Sequence, residues 1–224
     1  MIRKSILCYG DSNTWGYVPT SFDRPFNRSR FTQDERWTGV LQKLLGTSFY
    51  VIEEGLNSRT TNIDYQAPPD RNGKNYLPPC LYSHAPLDLV VFALGGNDGK
   101  TYFNRSAEEI RDGMAELIDI VQGSKYGPDL NKAPEVLLTS SLIPLPIAET
   151  FKDENGVLFM KGAIHKLEKL VGLYEELAKE KKCHYLDMSR DIQSSEIDGV
   201  HLDLQSHAKF SRLVSKKIKQ IVNY

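Results

Sequence analysis

The sequence predicts an α/β fold, a three-layer α/β/α domain spanning residues 1–224, with five parallel strands and helices on both faces of the sheet. Three observations predict it. Short apolar runs alternate with stretches of helical period along the whole chain, the pattern of repeated strand–helix units. The runs are apolar throughout rather than alternating, as strands covered on both faces must be. The first and third runs stop abruptly in glycine followed by Asp or Asn, where a buried strand turns into a loop. At 224 residues the chain can bury most of its apolar surface without disulfide or metal staples, and no repeat, low-complexity tract or linker divides it.

The first strand is Ile6-Leu7-Cys8-Tyr9, delivering the loop Gly10-Asp11-Ser12-Asn13-Thr14-Trp15-Gly16. Residues 17–34 carry two prolines and no period, and read as a long loop. From Glu35 to Gly46, Trp37, Val40, Leu41, Leu44 and Leu45 recur at helical spacing, with Gly46 as the stop. Phe49-Tyr50-Val51-Ile52 is the second strand, running into a polar loop over residues 53–61. Residues 62–86 hold Pro68, Pro69, Pro78, Pro79 and Pro86, so any helix there, around Cys80, is expected to be short.

Leu87–Leu94 is the third strand, ending in Gly95-Gly96-Asn97-Asp98. Ser106 and Glu109 have capping-box spacing and open a helix with Ile110, Met114, Leu117, Ile118 and Val121 on one face. Val136-Leu137-Leu138 is the fourth strand, followed by a loop at 142–156 and a long amphipathic helix over about 161–182. His184–Asp187 is a short fifth strand. The loop 188–203 contains Asp198-Gly199-Val200-His201, and a last helix runs over about 205–222.

The 28 basic and 29 acidic residues nearly cancel, and no Lys/Arg run is interleaved with aromatics, which argues against a nucleic-acid partner. Cys8, Cys80 and Cys183 are odd in number and far apart, so neither a disulfide framework nor a CxxC zinc site is expected. No His/Cys/Asp/Glu cluster has metal-ligand spacing, so no metal or other cofactor is expected. No long apolar segment precedes the first strand, which leads to the expectation of a cytoplasmic protein without signal peptide or membrane span.

In an open α/β sheet, ligands bind at the carboxyl ends of the strands. Ser12, the Ser58 region, Asn97, and Asp198 with His201 all fall there. Acyl transfer needs such a set. A hydroxyl is a poor nucleophile until an imidazole takes its proton, and a carboxylate must hold that imidazole in the right tautomer. A side-chain amide such as that of Asn97, beside backbone N–H groups, can hold the oxyanion. Taken singly, each has a plainer reading: Ser12 as a turn residue or N-cap, Asp198-Gly199 as a turn dipeptide, His201 as a loop histidine, and Asn97-Asp98 as a helix cap. The joint occurrence carries the argument.

Gly10-Asp11-Ser12, Gly95-Gly96-Asn97-Asp98 and Asp198-Gly199-Val200-His201 resemble, in order, the first, third and fifth blocks of the SGNH (GDSL-type) esterase family. That resemblance implies a flavodoxin-like SGNH-hydrolase fold. It also implies roles: Ser12 as nucleophile, His201 as base, Asp198 as its carboxylate and Asn97 as an oxyanion donor. Trp15-Gly16, Arg36-Trp37-Thr38-Gly39-Val40-Leu41, Glu53-Glu54-Gly55-Leu56 with Arg59-Thr60-Thr61, and Tyr76-Leu77-Pro78 with Cys80-Leu81 are similar to its arylesterase/acyltransferase branch. Members of that branch pass acyl groups to alcohols or peroxide as well as to water.

Two departures stand out. Position 13 is Asn where the first block often has Leu, which alters the polarity of the acyl pocket. The second block usually offers a glycine N–H to the oxyanion. Alignment on Arg59-Thr60-Thr61 puts Ser58 there, and alignment on glycine puts Gly55; we take Ser58, since any residue but proline supplies the N–H.

The rivals are weaker. His84, in the proline-rich segment, and His165 have no carboxylate at short spacing, His207 lies within the last helix, and Asp187 stands at a strand end. Asp11 is expected to brace its loop. The expectation is a serine esterase for short-acyl or aryl esters, with Asn13, Trp15 and Tyr17 in the substrate pocket and the loops at 17–34, 62–86 and 142–156 walling its entrance. Those loops serve instead as contacts in a homo-oligomer if the chain self-associates, as the branch resemblance makes plausible. Two alternatives stand beside it: a carbohydrate O-deacetylase or thioesterase on the same residues, and a flavodoxin-like module whose Gly10–Thr14 loop cradles a phosphate.

Overall fold

The computed structural model describes residues 3–20, 29–66 and 68–222. Five strands form one parallel sheet: β1 (Lys4–Gly10), β2 (Phe49–Gly55), β3 (Leu89–Ala93), β4 (Glu135–Thr139) and β5 (His184–Leu186), in the order β2-β1-β3-β4-β5. This is the flavodoxin-like order, in which the chain reverses its direction of travel between β1 and β3 and a crevice opens at their carboxyl ends. The helices are α1 (Ser12–Trp15), α2 (Trp37–Leu45), α3 (Gly73–His84), α4 (Ala107–Gln122), α5 (Ala163–Glu180) and α6 (Leu204–Ile221).

The apolar strands feed two cores. Leu7, Tyr9, Val90, Phe92, Val136 and Leu138 face α3, α4 and α5, while Ile6, Cys8, Val51, Leu89, Val91 and Leu137 face α2 and α6. Successive residues of one strand thus serve opposite layers, as the period-2 geometry of a strand requires. α4 begins where the sequence says it should: Ser106 Oγ accepts the Glu109 N–H and the Glu109 carboxylate accepts the Ser106 N–H.

Two elements differ from expectation. β2 continues through Glu53-Glu54-Gly55, because that run pairs in register with Cys8-Tyr9-Gly10. The proline-rich stretch holds a helix of 12 residues, α3, with Pro78 and Pro79 inside it. Asn72 starts this helix by accepting the N–H groups of Lys74 and Asn75. Leu77, Cys80 and Leu81 are buried on one face, while both prolines are exposed. Lys74 and Asn75, whose carbonyls lose their partners to the prolines, are exposed too, so water can satisfy them.

α2 has no side-chain cap of its own at Arg36. Its Trp37 N–H is accepted instead by Nδ1 of His207 on α6, at 3.2 Å, beside the Trp37–Phe210 stack. Burial lowers His207 to about 4. The unfolded chain therefore binds the extra proton first, and stability is expected to fall as pH drops from 6.5 towards 4, by up to about 3 kcal/mol. His207→Asn keeps an acceptor for Trp37 and removes the titration, so denaturant melts between those pH values should show a shallower decline. An unchanged slope would assign the decline to other groups. Among the described residues, no helix is long and apolar enough to cross a membrane.

Candidate active site

The loops after β1, β2 and β3, and the one between β5 and α6, meet over the carboxyl edge of the sheet. β1 ends at Gly10, where an added Cβ would lie 2.0 Å from Thr14 Oγ1, so the chain can turn this tightly only on glycine. Asp11 accepts the Asn13 N–H at 2.9 Å and caps α1, the bracing expected of it. Burial raises its carboxyl above the usual range, against that hydrogen bond and the charge of His201. Ser12 becomes the first residue of α1, buried and held at the wall of the cavity.

From the opposite end of the chain, the 198–201 turn reaches Ser12. His201 Nε2 is 3.0 Å from Ser12 Oγ, and His201 Nδ1 is 2.8 Å from Asp198 Oδ2. Asp198 is fully buried and spends its second oxygen, Oδ1, on the N–H groups of Val200 and His201, both at 2.9 Å. Burial alone would raise its pKa. The hydrogen bond and charge of His201, with the two N–H groups, outweigh that and hold it below the usual carboxylate range. The ring of Tyr17 stacks on the His201 ring, with centroids 4.4 Å apart.

Asn13 accepts the Leu202 N–H at 2.8 Å and donates to the Val200 carbonyl at 3.4 Å, clamping the histidine loop to α1. Asn13 thus lines the cavity while its amide serves mainly to position His201. Trp15 differs from expectation. It is not among the described cavity-lining residues, because it ends the single turn of α1 with its ring beneath the Arg30 guanidinium, 4.9 Å away.

Gly55 and Ser58 have different surroundings. Gly55 ends β2, and a Cβ there would sit 2.1 Å from the Trp15 backbone nitrogen. Its hydrogen atom is what lets α1 close on the sheet. Ser58 lines the cavity with φ 65°, a left-handed conformation that favours glycine and costs a serine about 1 kcal/mol.

Asn97 also lines the cavity, and Nδ2 donates one N–H to the Arg59 carbonyl at 3.1 Å. Its neighbour Asp98 is fully buried and accepts from the Thr61 N–H and hydroxyl and from Arg105. Burial pushes Asp98 up to about 6 against those donors. Arg59, 2% exposed, reaches the carbonyls of Gly10 and Glu54 and lies 4.0 Å above the Tyr9 ring. Arg59 thereby joins the loops that carry Ser12, Ser58 and Asn97, its guanidinium holding the Gly10 carbonyl and its own carbonyl accepting from Asn97.

Sequence reasoning missed Tyr65 and Lys100. Both line the cavity, and Lys100 Nζ donates to Tyr65 Oη at 2.7 Å. Burial lowers Lys100 to about 8, while the charges of Asp11 and Asp98 hold it up. Its place three residues after Asn97 was the available signal. Parts of the loops at 62–86 and 142–156 wall the cleft, which encloses about 1470 Å³. Tyr17 of the loop at 17–34 does so too; residues 21–28 of that loop, and residue 67 of the next, lie outside the described residues.

The rival groups stand elsewhere. His165 is exposed on α5, and Asp187 is exposed and accepts from Ser189. His84, which has no carboxylate at short spacing in the sequence, meets Glu54 at 2.8 Å in the fold. Burial pushes the Cys80 thiol up to about 12, so it stays protonated and is no competing nucleophile.

The profile of the GDSL-like Lipase/Acylhydrolase family matches residues 8–209. A solved carbohydrate acetylesterase from Sinorhizobium meliloti, Est24, shares 34% identity over 98% of this chain and all of its own, with a TM-score of 0.89. The inhibitor-bound aryl esterase of M. smegmatis shares 39% identity over 97% of this chain and 99% of its own, with a TM-score of 0.88. No sequence match is found among curated proteins.

Proposed function

The chain belongs to the GDSL-like lipase/acylhydrolase (SGNH) family of esterases, and on that premise we propose that Ser12 is its nucleophile, with His201 and Asp198 completing a catalytic triad. One observation carries the proposal: the unbroken hydrogen-bonded line from Ser12 Oγ through the His201 ring to Asp198. As Ser12 Oγ bonds to the ester carbonyl carbon, its proton passes to His201 Nε2, and Asp198 stabilises the imidazolium. Collapse of the tetrahedral intermediate expels the alcohol, which leaves with the proton from Nε2. Water then attacks the acyl-enzyme, losing its proton to the same nitrogen, and the acid departs.

The oxyanion is held by the N–H groups of Ser12 and Ser58 and by the second N–H of the Asn97 amide, the first being committed to Arg59. Asn97→Ala is expected to lower kcat about 100- to 1000-fold. Ser58→Ala keeps the backbone donor and should stay within about tenfold of the parent. Steady-state kinetics on one aryl acetate compares them, and a loss at Ser58 equal to that at Asn97 would move the essential contact to the serine hydroxyl.

The substrates we propose are short-acyl or aryl esters. The likeness to an aryl esterase and to a carbohydrate acetylesterase supports both an aryl and an acetyl-sugar leaving group. Transfer to alcohols or peroxide competes with hydrolysis when the acceptor outcompetes water at the acyl-enzyme. A panel of aryl acetates, acetylated sugars and an acetyl thioester, each with and without an added alcohol, tests this reading. Turnover confined to the sugar or the thioester would replace it with the corresponding alternative. Absence of new ester in the presence of alcohol would remove the transfer activity.

A further inference from the structure

Outside the cavity, α3 and the end of β2 bring three ligand-bearing side chains together. Cys80 and His84 are four residues apart on α3, so they lie on one face of the helix. Glu54 reaches them from β2: Oε1 is 2.8 Å from His84 Nε2, and a carboxylate oxygen, the Cys80 sulfur and a ring nitrogen of His84 all lie within 4.8 Å of one another. In a tetrahedral zinc site the usual bond lengths put sulfur and nitrogen ligands about 3.6 Å apart. The Cys80 sulfur therefore needs to close by no more than about 1.2 Å, and the Glu54 oxygen and His84 nitrogen to part by about 0.5 Å, for the three to share one ion.

We propose that Glu54, Cys80 and His84 form a binding site for one zinc-class divalent cation. The donor set chooses the ion: a thiolate and an imidazole disfavour magnesium and calcium, which want oxygen, and suit zinc or cobalt(II). Charge balances as well. A divalent ion with one thiolate and one carboxylate is neutral, so the nearby Arg59 guanidinium, bonded to the Glu54 carbonyl, is not driven from its place. Burial grades across the cluster in a useful direction. Cys80 is buried, whereas the His84 and Glu54 side chains are 31% and 18% exposed, so an ion arrives from the His84 side and a water can take the fourth position. On binding, the Cys80 thiol gives up its proton to solvent and the sulfur–metal bond forms, while the proton that His84 Nε2 holds towards Glu54 is relocated through solvent to Nδ1, so that Nε2 exchanges its hydrogen bond for the metal. The bound ion ties the carboxyl end of α3 to the end of β2.

The test uses the full chain without a polyhistidine tag, stripped with chelator and titrated with cobalt(II) and then zinc. The expected result is a thiolate-to-cobalt charge-transfer band that saturates at one equivalent, disappears on adding zinc, and is accompanied by release of about one proton per ion. Cys80→Ser should abolish the band. His84→Ala, on a partly exposed side chain that the core does not need, should weaken binding at least about a hundredfold. Both variants should hydrolyse aryl acetate at the parent rate. No band at stoichiometric cobalt in the parent, or a band that survives Cys80→Ser, overturns the proposal. Should Cys80→Ser fail to fold, undiminished binding by His84→Ala does the same.

Discussion

Ser12→Ala is expected to cut kcat on an aryl acetate by about 10⁶-fold while leaving the melting temperature close to the parent's. The size follows from the role proposed for the oxygen. Without Oγ no acyl-enzyme forms, and the variant keeps only what the oxyanion donors and binding give to direct attack by water, about 10³–10⁴ over the uncatalysed rate. The fold should tolerate the change, because the hydroxyl's bond within the site is to His201, whose position is set independently by Asp198, Tyr17 and the Asn13 clamp. His201→Ala should cost about as much, and the double variant little more, since the two groups act as one unit. Intact mass after fluorophosphonate treatment gives a second readout: one adduct on the parent and none on Ser12→Ala. An adduct that persists would place the nucleophile elsewhere.

How much of this was legible in the sequence depends on the range of the interaction. The strands were legible because residues such as Val90-Val91-Phe92 are buried on both faces and leave an unbroken apolar run. Asp198 and His201 were legible because a separation of three positions within one turn brings carboxylate and ring together. α3 was legible in its place around Cys80 but not in its length. The prolines predict a short helix, and nothing local says that Pro78 and Pro79 fall on the solvent side, where the freed carbonyls meet water. Long-range contacts were also hidden. Arg59 to Gly10 spans 49 positions and Glu54 to His84 spans 30, and only the closed sheet shows that they touch. The left-handed backbone of Ser58 was equally invisible, since serine gives no sign of the conformation that glycine would have announced.

Asp198→Asn is expected to lower kcat about 10⁴-fold without loosening the loop, and the two oxygens of Asp198 explain why. Oδ1 accepts the N–H groups of Val200 and His201, so in the variant that position must remain an oxygen. The new NH₂ group is forced into the place of Oδ2, 2.8 Å from His201 Nδ1. There it can only donate, so Nδ1 must become an acceptor and the ring's single proton moves to Nε2. A protonated Nε2 faces Ser12 Oγ as a donor and cannot take its proton. The carboxylate's charge, which would have stabilised the imidazolium, is lost at the same time. Replacement by alanine removes the wrong donor as well as the carboxylate, so Asp198→Ala should leave the ring free to adopt either tautomer but poorly held. Comparing kcat for the two variants, with NMR of the His201 ring nitrogens to read the tautomer, checks the argument. A loss below about tenfold in Asp198→Asn, or an Nδ1-protonated ring in that variant, would mean that some group other than Asp198 orients the base.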